Sequence, residues 1–325
     1  MKLLIIAGLS SLIFTFILIK IILPILKKKK ASQTILHYLE AHKEKNGTPT
    51  MGGLFFILPA VIVYFILFPL RISIVSVAIG LSFMIVGIID DFIKIKFKQN
   101  EGLKAYQKIL FQLSIAILAG CFCFFNQITV YHIPFTKNNV DLGVFTIPFV
   151  AIIFIAITNC VNLTDGLDGL AGSVSAVYLL ILTILIGLQV KTLEHMYLLV
   201  EEYYSLQVLS CCLIGGILGF LIYNVSKAKI FMGDTGSLSL GGFIGSISIF
   251  SSNSLFIPLI GIMFVITGIS VIVQVIYYKK TKKRIFLMAP LHHHFQLKGK
   301  SESKISYAYA LITLIVGLSC LLVYI

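Results

Sequence analysis

Asn162-Leu-Thr-Asp165-Gly-Leu-Asp168-Gly169-Leu-Ala-Gly172 sets two carboxylates and three glycines between two long apolar segments. A charge in or beside a bilayer helix is costly to desolvate, so it marks a place where water, an ion or a polar substrate is handled. The glycines let the backbone turn tightly and come close to a ligand. The plainer alternative is a polar turn between helices that ends in an N-capping Asp. What decides between the two is the chemistry that shares this side of the membrane.

That a membrane is involved follows from the composition. Of 325 residues, 58% are hydrophobic and 12% charged, and the mean hydropathy is +1.01, far too apolar for an ordinary soluble domain. Crossing a hydrocarbon core takes roughly 17 to 25 predominantly apolar residues. Ten segments are read as spans, at about 3–26, 52–70, 72–89, 107–125, 144–161, 170–188, 206–224, 237–251, 255–277 and 305–325. The eighth is short, as in a span that tilts little, thins the bilayer or begins deeper than its neighbours.

Ten spans put both termini on one side. With the termini outside, all of the 26 Lys and Arg residues fall inside except Lys2, Lys20, Arg71, Lys137 and Lys191, the positive-inside pattern. Lys27 to Lys30 read as a stop-transfer flank, and no small-residue cleavage pattern follows, so the first segment is a span and not a signal peptide. Lys20 can snorkel to the inner interface. The six cysteines lack zinc-type spacing and read as small apolar fillers. The net charge of +13 suits anionic lipid headgroups, and with no folded domain to carry it nucleic acid is not a partner. The fold class is therefore all-α: a polytopic integral membrane protein with about ten transmembrane helices in a single domain, 1–325, its candidate site at the cytoplasmic face.

Every chemically loaded motif falls on that inner face. Lys45-Asn-Gly-Thr48-Pro-Thr50-Met-Gly-Gly53 leads into the second span, where threonine hydroxyls cap a helix or its amides face an anionic ligand. Asp90 and Asp91 close the third span at the negative end of the helix dipole and repel one another. A pair solvated beside Lys94 is one reading; a divalent cation, a cationic substrate group or a general base is the other. The basic loop running to Lys108 is placed to receive phosphate. Gly233-Asp234-Thr-Gly-Ser237 opens the eighth helix, where a simple N-cap explains one residue but not the cluster. Free amides and a carboxylate there suit a Mg²⁺-phosphate pair.

Pro290-Leu-His292-His293-His294-Phe295 is not spaced for zinc, because consecutive imidazoles diverge, and phosphate or carboxylate binding suits it better. On the outer side, residues 126–143 suit a turn or hairpin, and residues 189–205 read as a solvated connection. No acidic residue sits in mid-span, which argues against an ion-coupled transporter.

In order and spacing, the motifs at Gly47–Gly53, Asp90–Asp91, Asn162–Gly169, Met232–Ser237 and Pro290–Phe295 resemble those of the phospho-N-acetylmuramoyl-pentapeptide transferase (MraY) family. That family lies within the polyprenyl-phosphate N-acetylhexosamine-1-phosphate transferases. The resemblance implies a multi-pass protein of the bacterial cytoplasmic (inner) membrane. It implies transfer of phospho-MurNAc-pentapeptide from UDP-MurNAc-pentapeptide to undecaprenyl phosphate with Mg²⁺, giving lipid I and UMP. It assigns Asp90 and Asp91 as catalytic, Asp234 as magnesium ligand, and His292 as part of the reacting site. Substrate contacts fall to Asn162, Asp165, Asp168, Gly233, Ser237, His293 and His294, and further to Lys45, Thr50, Lys94 and Lys108. Direct attack by the lipid phosphate, with Asp91 as base, is favoured over a covalent phospho-aspartate. A homodimer is left open.

Gln296 and Lys300 depart from the family, which commonly has an acidic and an aromatic residue there. The alternatives are a sister enzyme using UDP-GlcNAc, whose histidine run is usually interrupted, or a lipid transporter or scaffold without catalysis, against which the intact aspartates argue.

Overall fold

A computed structural model describes residues 1–28, 47–97, 99, 101–136, 138–190, 197–225 and 227–322. Lys45, with the basic stretch around it, lies outside them. The helices are α1 (Lys2–Lys28), α2 (Leu54–Leu67), α3 (Arg71–Phe97), α4 (Ala105–Phe125), α5 (Thr146–Thr164), α6 (Leu170–Val190), α7 (Tyr197–Asn224), α8 (Gly233–Phe250), α9 (Ile257–Ile260), α10 (Ile262–Thr281), α11 (Leu291–Leu297) and α12 (Glu302–Leu321). Among the described residues, all ten expected segments are helical over most of their length, and eight helices are long and apolar enough to cross a membrane. The protein is an all-α, multi-pass membrane protein.

Three boundaries differ from expectation. The segment at 255–277 is broken: Pro258 opens the short α9, and the chain bends at Gly261 before α10 resumes. α2 is shorter than expected, 14 residues, and ends at Leu67 just before Pro69. The connection expected at 189–205 is partly helix, since α7 begins at Tyr197, and Glu202 is not merely solvated. Its carboxylate accepts the Ile72 N–H at 2.9 Å, satisfying a free amide in the first turn of α3. The hairpin expected between α4 and α5 is present as β1 (Val130–His132) and β2 (Asn139–Asp141), antiparallel, with Tyr131 opposite Val140.

α8 is the centre of the bundle, and every residue from Thr235 to Phe250 is buried. It packs chiefly on α3 and α5, while α1 lies along α7 and α12 along α6. Half of α8 is Gly and Ser, which lets backbones approach closely in lipid, where shape and hydrogen bonds replace the hydrophobic drive. Ser239 Oγ donates across to the Gly80 carbonyl of α3 at 2.8 Å. The N-terminus of α8 and the C-termini of α3 and α5 therefore meet at one end of the bundle.

Candidate active site

Asp91 explains how α8 begins. Its Oδ1 accepts the Asp234 N–H at 3.1 Å, and its Oδ2 accepts the Thr235 N–H at 2.9 Å and the Thr235 hydroxyl at 2.7 Å. A carboxylate from the unfavourable end of α3 thus lies on the favourable, positive end of α8. The dipole penalty read in the sequence is cancelled by a helix far away along the chain. Gly233 makes the approach possible: its φ is +72°, and a Cβ there would sit 2.5 Å from Asp91 Oδ2 and 2.9 Å from Thr50 Oγ1.

Asp90, one residue earlier, points elsewhere. Its Oδ1 accepts the Leu103 N–H at 2.9 Å and its Oδ2 lies 2.6 Å from Lys94 Nζ. Lys94 also reaches Asp234 Oδ2 at 3.2 Å, and Lys108 Nζ reaches the same oxygen at 2.6 Å. Asn162 Nδ2 donates to Asp234 Oδ1 at 2.9 Å and to Ser237 Oγ at 2.8 Å. Asp90, Asp91, Lys94, Lys108, Asn162, Asp234 and Ser237 therefore form one constellation drawn from α3, α4, α5 and α8. Asp90 and Asp91 are buried, and each of Asp90, Asp91 and Asp234 offers an oxygen within 4.8 Å of the others. Three carboxylates against two ammonium groups leave a negative balance, and the donors are all hard oxygens. A divalent metal of the magnesium or calcium type fits that set.

Asp165 ends α5 at the edge of this cluster. Burial, and then the Asp234 and Asp91 carboxylates, push its carboxyl well above the usual carboxylate range, which suits it to donate a hydrogen bond. Asp168 has turned away from the constellation. Its Oδ2 accepts the Ala228 N–H at 2.9 Å, its own N–H donates to Glu302 Oε2 at 2.9 Å, and its carbonyl accepts from Ser306 Oγ at 3.0 Å. It ties the α7–α8 connection and the start of α12 to the turn that contains it. Thr50 is buried beside Gly233, on a stretch that is extended where a helix cap was one expectation. Phe231 N–H donates to the Pro49 carbonyl, Gly52 N–H to Phe231 and Gly53 N–H to Met232, at 2.8 to 3.0 Å.

The three histidines divide. His292 and His293, with ring centroids 4.4 Å apart, converge on Gly166 instead of diverging; a Cβ on Gly166 would strike His292 Nε2 and lie 3.0 Å from His293 Nε2. That glycine brings α11 onto the Asn162–Gly172 stretch. His294 faces away, its Nδ1 accepting the Leu287 N–H at 3.1 Å. Gln296 links His293 Nδ1 at 3.0 Å to Glu302 Oε1 at 3.3 Å.

His292 is fully buried, and burial, then His293, hold its ring down to about 3. Undocked, an ordinary imidazole takes a proton below about 6.5. Docking of α11 therefore weakens as pH falls from 6.5 toward 3, at about 1.4 kcal/mol per pH unit, or about 2 kcal/mol by pH 5. Hydrogen exchange of α11 at pH 7.5 and 5 checks this. Wild type is expected to lose protection at pH 5, and His292→Phe to lose much less.

Sequence reasoning missed Leu103 and Glu302, and placed Thr235 in the Gly233–Ser237 cluster without its partner Asp91. A threonine next to an aspartate and a carboxylate opening a helix are ordinary locally, and only the tertiary pairing gives them a role.

The comparisons with known proteins agree with this geometry. The chain matches the model of glycosyl transferase family 4 over residues 72–252, a range containing every member of the aspartate constellation. Residues 45–57 match phospho-N-acetylmuramoyl-pentapeptide-transferase signature 1, which includes Thr50 and the extended stretch paired to Phe231. A phospho-N-acetylmuramoyl-pentapeptide-transferase of Clostridium botulinum is 41% identical over 95% of this chain and 93% of its own length. The chain belongs to the phospho-N-acetylmuramoyl-pentapeptide-transferase family. Members from Clostridium novyi, 40% identical over 98% of this chain and 96% of theirs, and from Clostridium kluyveri, 42% identical over 92% of each, bear the same name. For a phospho-N-acetylmuramoyl-pentapeptide-transferase, a site with two lysines beside three carboxylates is well suited to phosphate chemistry.

Proposed function

We propose that this protein transfers phospho-MurNAc-pentapeptide from UDP-MurNAc-pentapeptide to undecaprenyl phosphate, releasing UMP and forming lipid I at the cytoplasmic face of a bacterial inner membrane. The observation that carries the reading is Asp234 shared between Lys94 and Lys108, with Asp90 on the same lysine. Two phosphate-bearing substrates meeting at one point need their charge neutralised, and the end of the bundle where these groups gather also carries the basic connections. Asp234 would hold Mg²⁺, which when bound would polarise phosphoryl oxygen. Lys94 and Lys108 orient phosphate oxygens and stabilise charge that builds on them. Asp165 and Asn162 border the nucleotide or sugar, with His292 and His293 closing the opposite wall through Gly166.

Asp91 was the expected base, but each of its oxygens already accepts from the first turn of α8. Its work is to hold Asp234 in place. Both oxygens of Asp90 are engaged as well, by the Leu103 N–H and by Lys94, but the Lys94 side chain can turn to an arriving phosphate where the backbone amides on Asp91 cannot, so Asp90 is the carboxylate to take a proton from the lipid phosphate as that oxygen attacks. The sister-enzyme reading is weighed down by the uninterrupted histidine run, two of whose rings meet the Asn162–Gly172 stretch.

UMP release by the purified protein with undecaprenyl phosphate and Mg²⁺ tests the proposal. Release is expected with UDP-MurNAc-pentapeptide and not with UDP-GlcNAc. The reverse preference would move the chain to the sister enzymes, and silence with both donors beside an active control transferase would favour a transporter or scaffold.

A further inference from the structure

On the far flank of α11, away from Gly166, lies a slot of about 420 Å³ between α10, α11 and α12. Met263 and Ile266 of α10, Phe295 of α11 and Ile312 of α12 line it, and Lys300 and Lys304 stand at one end. Both lysines are exposed and make no ion pair among the described residues. Glu302, between them in sequence, is taken up by the Asp168 N–H and the Gln296 amide and does not neutralise them. From Lys304 to Ile312 is eight residues of helix, about 12 Å, so the slot runs from two cations into walls that are apolar apart from Tyr309 over that distance.

We propose that this slot binds an anionic glycerophospholipid, its phosphate between Lys300 and Lys304 and an acyl chain along Ile312 and Ile266. The charge is complementary to an anionic headgroup, the walls suit hydrocarbon, and α10 and α12 are both long enough to sit in the bilayer. The occupant is not the reacting lipid. Its phosphate has to reach Asp90 and Asp234, whereas these lysines follow the C-terminal end of α11 and His292 begins it. Leu291 and Phe295 face the slot from the same helix that presents His292 to Gly166. A bound lipid therefore backs α11 against the site.

The test is native mass spectrometry of the detergent-purified full-length protein titrated with phosphatidylglycerol or phosphatidylcholine of matched acyl chains. Wild type is expected to retain phosphatidylglycerol at least about tenfold more tightly. Lys300→Gln with Lys304→Gln should erase that preference, and Ala308→Phe, which fills the slot with both lysines intact, should remove the binding event for either lipid. Thermal unfolding of each variant reports whether it is folded; if Ala308→Phe is not, the lysine pair decides. Unchanged preference in the lysine double variant overturns the proposal. So does displacement of phosphatidylglycerol mole for mole by undecaprenyl phosphate, which would give the slot to the substrate. The readout is binding, so it stands or falls separately from the transferase reaction.

Discussion

Asp234→Asn is expected to give a folded, inserted protein whose turnover is about 10³-fold lower, roughly 4 kcal/mol of transition-state stabilisation. The asparagine keeps the shape of the side chain and the backbone N–H that Asp91 holds at 3.1 Å, so the start of α8 stays in place. What it loses is charge. Lys108, at 2.6 Å, loses its ion pair, Lys94, at 3.2 Å, keeps Asp90 and Asp91, and a neutral amide is a poor ligand for a hard divalent cation. Two less compensated ammonium groups still attract phosphate, so kcat is expected to fall while KM for the nucleotide substrate stays level or drops. Initial rates of UMP release, run beside thermal unfolding in detergent, separate these effects. Near-normal turnover would remove Asp234 from the metal-binding role, and a collapsed melting temperature would make it a structural anchor instead.

Much of the site was legible because the cost of desolvating charge is local. Asp90, Asp91 and Asp234 stood out as acids at the ends of apolar runs, and the structure brings them within one cluster. What compensates each acid was not legible, because the partners are far away in sequence. Nothing near Asp91 announces that its oxygens belong to Asp234 and Thr235, and nothing near Asp168 announces Ala228. The histidines show the same limit. Three adjacent residues on a helix point in different directions, yet the missing side chain at Gly166 lets two rings share one spot while the third turns to Leu287. In the fold, the apolar segments were plain in outline. The break at Gly261 had a signal in Pro258 and Gly261, but it lay inside a run apolar enough to read as one span. α7 begins earlier than expected because Tyr197–Ser205 carries two glutamates, which read as solvent-facing until α3 supplies an amide for Glu202.

Gly87→Ala is expected to injure both stability and catalysis, although residue 87 touches no substrate. A Cβ at this point of α3 would lie 2.5 Å from the Asp234 carbonyl carbon and 2.6 Å from Thr235 Cα, and closer still to the Asp234 carbonyl oxygen. Those are backbone atoms of the first turn of α8, so no rotamer change relieves the overlap, and the two helices must separate by about 1 Å. Overpacking of this kind costs about 1 to 3 kcal/mol. The shift falls on the three hydrogen bonds that seat α8 on Asp91, now 2.7 to 3.1 Å, and through them on the position of the Asp234 carboxylate. A misplacement of about 1 Å at a reacting centre costs about 10²-fold in rate. Gly87→Ala should therefore melt earlier than wild type and turn over about 10²-fold more slowly, with the charge of every acid intact. If stability falls and the rate does not, Asp234 is positioned by its lysines and Asn162, not by the α3–α8 contact. If the rate falls with the melting temperature, the close approach at Gly87 is what sets the distance between Asp90 and Asp234.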